Sequence, residues 1–64
     1  MVKINGEEVN AAGQTLTDYL AAADYDTRRI VVERNEAIVP KEEYGDTVLQ
    51  EGDVVEIVSF MGGG

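Results

Sequence analysis

Alternating apolar and polar residues at the start of the chain predict a β-hairpin. Val2 to Ile4 alternates in this way, and Asn5-Gly6 supplies the pair best suited to a type I′ turn, in which both central residues need positive φ. Glu7 to Asn10 forms the predicted return strand, with Val9 as its inward residue.

The next periodic stretch predicts one short amphipathic helix. Thr15 is a good N-cap, and Asp18 places a carboxylate in the first turn, where it meets unpaired amide groups. Apolar residues then recur at helical spacing on one stripe: Leu16, Tyr19, Leu20 and Ala23. Two to three turns are too short to be stable in isolation, so we expect this face to pack on a sheet.

Two further strands are indicated by β-branched residues. Ile30 to Arg34 is the first, and Asn35-Glu36 connects it tightly to Ala37 to Val39, which Pro40 ends by removing a backbone donor. Lys41 to Tyr44 is expected to be a polar crossover of one helical turn.

The longest strand is predicted from Val54 to Phe60. Val55 and Ile57 share one face of it, whereas Glu56, Val58 and Phe60 share the other, so one side of the sheet should be half exposed. The order strand, strand, helix, strand, strand, strand, with a right-handed crossover, places the last strand beside the first. We therefore predict an α+β fold of the β-grasp type: a mixed sheet crossed by one helix, forming one domain over residues 1–64.

The composition excludes several classes of function. The chain has 64 residues, no Cys and no His, which removes thiolate nucleophiles, the usual zinc ligands and the commonest general base, so an enzyme acting alone is not expected. A formal charge of −8 opposes binding to nucleic acids and anionic membranes. With no apolar run of about 20 residues and no signal-peptide pattern, the expected location is the cytoplasm.

Gly62-Gly63-Gly64 follow the last strand without a turn. Glycine adds nothing to a core, so residues 61–64 are expected to form a flexible tail that ends in a free carboxylate. Any chemistry of this tail must lie on the carboxylate of Gly64, with Gly62 and Gly63 as the part that enters a partner's active site. A frayed terminus or a leftover linker is the alternative interpretation.

Three other sets of residues have both a functional and a structural interpretation. Val58, Phe60 and Met61 either form an apolar docking surface that leads into the tail or close the core. Arg28 and Arg29 either recognise an acidic partner or phosphate, or are simply solvated. Tyr19 lies in the apolar stripe of the helix, and this position favours a role in the core.

The order and spacing of these features resemble one family. The chain is similar to the ThiS family, the ubiquitin-like sulfur-carrier proteins of thiamin thiazole biosynthesis, over essentially its whole length. The residues that carry the resemblance are Asn5-Gly6, Gly13-Gln14-Thr15-Leu16, Val32-Glu33-Arg34-Asn35, Ile38-Val39-Pro40, Glu51-Gly52-Asp53, Val55-Glu56-Ile57 and the terminal glycines. Two departures are Met61, where a smaller aliphatic residue is expected, and a third glycine where two suffice.

The resemblance implies a carrier that acts with three partners. An E1-like adenylyltransferase uses ATP and Mg²⁺ to join the terminal carboxylate to AMP, and a cysteine desulfurase or another persulfide source supplies sulfur. A thiocarboxylate is then left at Gly64, and thiazole synthase accepts the sulfur. The chain itself is expected to bind no cofactor and no metal.

Two alternatives remain open from the sequence. One is a related carrier that serves molybdopterin synthesis or tRNA thiolation with the same terminal chemistry. The other is a non-covalent β-grasp interaction module whose glycine tail is inert.

Overall fold

The computed structural model describes residues 1–60, and the predicted strands and helix are all present there. Within this range the strands form one mixed sheet in the order β2-β1-β5-β3-β4. The elements are β1 Val2–Ile4, β2 Glu7–Val9, α1 Leu16–Ala22, β3 Ile30–Arg34, β4 Ala37–Val39 and β5 Val54–Ser59, with 3₁₀ turns at Thr27–Arg29 and Lys41–Glu43. The β-grasp prediction is confirmed.

Strand β5 lies in the middle of the sheet. It pairs in parallel with β1, where Lys3 lies opposite Val54, and antiparallel with β3, where Ile30 lies opposite Ser59. The last strand therefore lies beside the first, as the right-handed crossover predicts. β2 and β5 each end one residue earlier than predicted, at Val9 and Ser59.

The Asn5-Gly6 turn has a second structural role besides closing the first hairpin. Both residues have positive φ, 51° and 85°, as a type I′ turn requires. The Asn5 side chain also accepts a hydrogen bond from Ile57 N at 2.7 Å and donates one to Ile57 O at 3.2 Å. The amide group thus extends the pairing of β5 beyond the end of β1.

Helix α1 begins as predicted but ends earlier. Thr15 Oγ1 accepts a hydrogen bond from Asp18 N at 3.1 Å, which satisfies one of the free amides of the first turn. Leu16 and Leu20 are fully buried against the sheet, and Tyr19 is half-buried against the core. The prediction for Ala23 was wrong: it is exposed because the helix ends at Ala22 and Ala23 is its C-cap.

The core between the helix and the sheet includes residues that periodicity did not reveal. Tyr44 is only 4% exposed although it follows the polar crossover, and Ala11 is fully buried although it lies in the loop before the helix. Both lie in irregular segments, where no repeat reveals which side faces inward. The core comprises Val2, Ile4, Ala11, Leu16, Leu20, Ile30, Val32, Tyr44, Leu49, Val55 and Ile57.

Candidate functional site

The end of β5 is the part of the fold closest to the predicted site. Phe60 N donates a hydrogen bond to Arg29 O at 2.7 Å, so pairing with the chain before β3 continues to the last described residue. Met61 and Gly62 to Gly64 lie outside the described residues. The structure therefore describes the point from which the tail continues, and the roles of the glycines stay predictions.

Val58 and Phe60 lie on the side of the sheet opposite the helix. Their exposed fractions are 56% and 49%, whereas Val55 and Ile57, on the other side of the same strand, are 1% and 6% exposed. Of the two interpretations offered by the sequence, closure of the core does not apply to Val58 and Phe60. Their docking role stays a prediction, and Met61 lies beyond the described range.

These side chains belong to a small apolar cluster next to the tail. Val31 on β3 lies directly opposite Val58, which places both residues on the open face, and Val31 is half-buried there. We name Val31, Val58 and Phe60 the tail-root patch. Exposed apolar residues that are contiguous and rimmed by charge are typical of a protein interaction site.

Acidic residues border the tail-root patch on the same face. Glu33 lies directly opposite Glu56, and both side chains are exposed. Like charges on directly opposite residues destabilise a sheet, so this pair contributes nothing favourable to the fold itself. A basic side chain of a partner placed between the two carboxylates would relieve the repulsion.

A buried carboxylate fixes the start of β5. Asp53 is 6% exposed and accepts hydrogen bonds from Arg34 Nε at 2.8 Å, Asn35 Nδ2 at 3.0 Å and Gln50 N at 2.9 Å. Burial opposes the ionisation of Asp53, but these three hydrogen bonds together outweigh it and hold the pKa of Asp53 below its ordinary value. The carboxylate therefore joins the turn before β5 to β3.

The β3–β4 turn is attached to β5 through the same group of residues. Asn35 N donates to Val54 O at 2.7 Å, and Val54 N donates to Asn35 Oδ1 at 2.9 Å. Asn35 and Glu36 have positive φ, 52° and 71°, so the connection is a second primed turn. The sequence indicated a tight turn at Asn35 but not its bond to Asp53, because Glu51-Gly52-Asp53 suggested only a turn.

Three basic residues lie near the end of β5. Arg28 forms two hydrogen bonds with Asp26, from Nε to Oδ1 and from Nη2 to Oδ2, both at 3.1 Å, and Arg29 Nε lies 3.7 Å from Asp26 Oδ2. Lys41 Nζ donates to Thr27 O and to Ile30 O. The hydrogen bonds and charge of Arg28 lower the pKa of Asp26.

Residues 1–60 contain no group of three or more His, Cys, Asp or Glu side chains arranged to hold a metal ion. No helix in this range is long and apolar enough to cross a membrane.

A helix across a five-stranded mixed sheet, with a central last strand that runs from the core toward a glycine tail, defines a ubiquitin-like β-grasp protein. The particular family follows from comparison of the sequences. The chain belongs to the ThiS family, whose model matches residues 2–64.

Individual relatives support this assignment. The sulfur carrier protein ThiS of Bacillus subtilis is 41% identical over 66 residues, and the match covers 100% of both chains. The crystal structure of the thiamine biosynthesis protein ThiS from Geobacter metallireducens superposes with a TM-score of 0.78 at 31% identity, covering 98% of this chain and 97% of that one.

A different kind of relative is a much longer protein. The thiazole synthase of Paramagnetospirillum magneticum is 47% identical over 62 residues, which are 95% of this chain but 19% of that protein. The chain therefore spans about a fifth of the length of the first curated relatives it matches.

Proposed function

We propose that this chain is the sulfur carrier of thiamin thiazole biosynthesis and that its sulfur is carried as a thiocarboxylate on Gly64. The observation that carries the proposal is the full-length similarity to the sulfur carrier protein ThiS of Bacillus subtilis, together with the terminal Gly-Gly of this sequence. The position of β5 adds support, since only Phe60 and Met61 separate this central strand from the glycines in the sequence.

The chemistry requires activation of the terminal carboxylate. A carboxylate is a poor acyl donor, and its attack on the α-phosphate of ATP, with loss of pyrophosphate, turns one oxygen into part of a good leaving group. The outer sulfur of a cysteine-derived persulfide then displaces AMP and forms an acyl disulfide with Gly64. A second thiol of a partner protein attacks the S–S bond and is oxidised to a disulfide, and a thiocarboxylate is left on Gly64. Gly62 and Gly63 suit this step because a tail without Cβ atoms fits a narrow site and leaves the carbonyl accessible.

The partners provide the catalysis. An E1-like adenylyltransferase supplies the site for ATP and Mg²⁺, a cysteine desulfurase or another persulfide source supplies sulfur, and thiazole synthase accepts it. In this scheme the chain is a co-substrate, binds no cofactor itself and acts in the cytoplasm. Similarity to part of a thiazole synthase supports the choice of acceptor, because that match covers 95% of this chain.

Docking is assigned to the open face of the sheet next to the tail. The tail-root patch offers apolar area that the fold leaves uncovered, and the Glu33–Glu56 pair offers charge that a basic partner would neutralise. Four residues follow Phe60, and an extended chain spans at most about 3.6 Å per residue, so about 14 Å is the greatest distance beyond Phe60 that the carboxylate of Gly64 can reach. A partner that covers the patch can therefore hold the carboxylate in a recessed active site.

The experiment uses the chain isolated from cells that contain the activating enzyme and the sulfur source. The protein is alkylated with iodoacetamide, its intact mass is measured and the adduct is mapped. Because the chain has no cysteine, a terminal thiocarboxylate is the strongly preferred site, whereas intact mass alone would confuse a sulfur-for-oxygen exchange with methionine oxidation.

The outcomes separate the classes of function. An adduct on Gly64 is expected, and a variant that lacks Gly62, Gly63 and Gly64 should give none. An unmodified terminus, despite binding to an active adenylyltransferase, would contradict the carrier function and favour a non-covalent β-grasp module. Transfer of sulfur to thiazole synthase, measured as thiazole formation in the purified system, distinguishes the proposed acceptor from molybdopterin synthesis or tRNA thiolation.

A further inference from the structure

The chain has five basic side chains, and three of them lie at one corner of the fold. Arg28 and Arg29 form the end of the first 3₁₀ turn, and the Lys41 ammonium is bound to the carbonyl oxygens of Thr27 and Ile30 at the same place. We name Arg28, Arg29 and Lys41 the basic corner. The other two basic residues are elsewhere: Arg34 is bound to Asp53, and Lys3 is on β1.

The basic corner lies where the tail begins. Phe60 N donates to Arg29 O at 2.7 Å, so the last described residue of the chain and Arg29 are hydrogen-bonded neighbours. The side chains of Arg28 and Arg29 are 84% and 56% exposed, and among residues 1–60 Asp26 is the only carboxylate that pairs with them. Glu42 and Glu43 adjoin Lys41 in the second 3₁₀ turn, so the exposed positive charge of this corner belongs to the two arginines.

This charge distribution bears on how the chain meets the enzyme that activates it. An acidic protein must insert its carboxylate into a site that already contains polyanionic ATP, and an approach with the tail in front is unfavourable if the front of the molecule is also acidic. Arg28 and Arg29 place two exposed positive charges beside the end that enters first. Charges at the edge of an interface act mainly on orientation and on the rate of association.

The length of an arginine side chain limits which part of a partner the basic corner can contact. The carboxylate of Gly64 extends up to about 14 Å beyond Phe60, at about 3.6 Å per residue, which is further than an arginine side chain extends. Arg28 and Arg29 therefore do not reach an adenylate formed at Gly64 when the tail is extended. A contact made by these arginines therefore lies beside the entrance to the active site rather than inside it.

We propose that the basic corner docks on an acidic surface at the entrance of the adenylyltransferase channel and orients the chain so that its tail enters first. The inference rests on the proposed function, because it requires that the tail be adenylated. Arginine suits this contact since its planar guanidinium binds a carboxylate through two parallel hydrogen bonds.

The test compares two variants of equal charge. Arg28→Gln/Arg29→Gln removes two positive charges, and the control Asn10→Asp/Gln14→Glu adds two negative charges at exposed positions before the helix, so each makes the formal charge of −8 more negative by two. The source organism's adenylyltransferase is assayed with ATP, Mg²⁺ and labelled pyrophosphate by pyrophosphate exchange. Urea unfolding checks that both variants fold.

We expect the arginine variant to raise KM for the carrier roughly threefold to tenfold at low salt, with kcat unchanged. The increase should shrink in 0.5 M salt, where screening is strong, at a Debye length of roughly 4 Å. Arg28→Lys/Arg29→Lys keeps the charge and should restore most of the lost affinity. Arg29→Gln alone serves if the double variant fails to fold, since Arg29 lacks the two-bond contact that Arg28 makes with Asp26.

Each result has a separate meaning. A KM equal to that of the control variant would refute the basic corner as a docking element and leave the carrier function intact, because the exchange reaction itself would still proceed. No exchange with the wild-type chain would overturn the proposed function and, with it, this inference.

Discussion

Phe60→Ala should weaken binding to the activating enzyme more than it lowers the stability of the fold. Phe60 is 49% exposed, so about half of its side chain is already covered by the protein and half is available to a partner. A phenylalanine exposes roughly 200 Å² when fully accessible, which leaves about 100 Å² for the interface. The exposed half affects binding to the enzyme, and the covered half affects the stability of the fold.

The expected magnitudes follow from the area. At about 25 cal/mol per Å², burial of the exposed half is worth about 2 kcal/mol after allowing for what alanine retains, or roughly a 30-fold change in affinity. The covered half of the Phe60 side chain contributes about 1 kcal/mol to stability. This value is lower than the covered area alone would give, because alanine keeps some of the atoms and because the unfolded chain already buries part of the area. Binding should therefore lose about twice as much free energy as folding.

The assay pairs pyrophosphate exchange, which gives KM for the carrier, with urea unfolding followed by circular dichroism. Val48→Ala is the matched control, because Val48 is 41% exposed but lies on the loop that bridges to Thr15, away from the tail-root patch. Its KM should stay near the wild-type value. If Phe60→Ala changes KM no more than Val48→Ala, or loses as much stability as affinity, the docking role of Phe60 is refuted.

Three further substitutions test the remaining features. Asp53→Asn should cost about 2 kcal/mol in urea unfolding, because it leaves Arg34 without its charged partner. Folding lowers the pKa of Asp53, so the stability that its carboxylate contributes is present above the unfolded pKa of about 3.9 and is lost as pH falls through the lower folded value. The variant lacks this carboxylate, so it should lose less stability than wild type between about pH 5 and about pH 2. Glu36→Gly should stabilise by about 0.5 kcal/mol in the same measurement, because glycine adopts the φ of 71° without strain; a loss of stability would contradict this account of the turn. Glu56→Gln should stabilise by about 0.3 kcal/mol by removing repulsion with Glu33, yet raise KM in pyrophosphate exchange, and an unchanged KM would exclude the pair from docking.

The repeating elements of this fold were predictable, because local signals and the long-range packing agree. Asn5-Gly6, Thr15 with Asp18, and the β-branched stretches each specify an element by themselves, and the observed bounds differ from the predicted ones by a residue or so. The sequence also predicted which side chains of β5 share a face, because side chains alternate along a strand and this places Val55 and Val58 on different sides.

Contacts between distant segments were not predictable in the same way. The Asp53 contacts with Arg34 and Asn35 join residues that are 19 and 18 positions apart, and nothing in the local pattern distinguishes this carboxylate from the solvated ones. The burial of Tyr44 likewise depends on the path of an irregular segment over the core. The proximity of Arg29 to the start of the tail required the register of β3 against β5.

Fixation of β5 explains why an exposed face next to a tail can serve as a docking platform. The strand is held at its start by Asp53, whose backbone oxygen also accepts from Lys3 N at 2.9 Å, in its middle by the side chain of Asn5, and at its end by the bond from Phe60 N to Arg29 O. These attachments come from different parts of the chain, so no single loop controls the position of the strand. A partner that binds the tail-root patch therefore meets side chains whose backbone is already ordered, and this lowers the entropy cost of association.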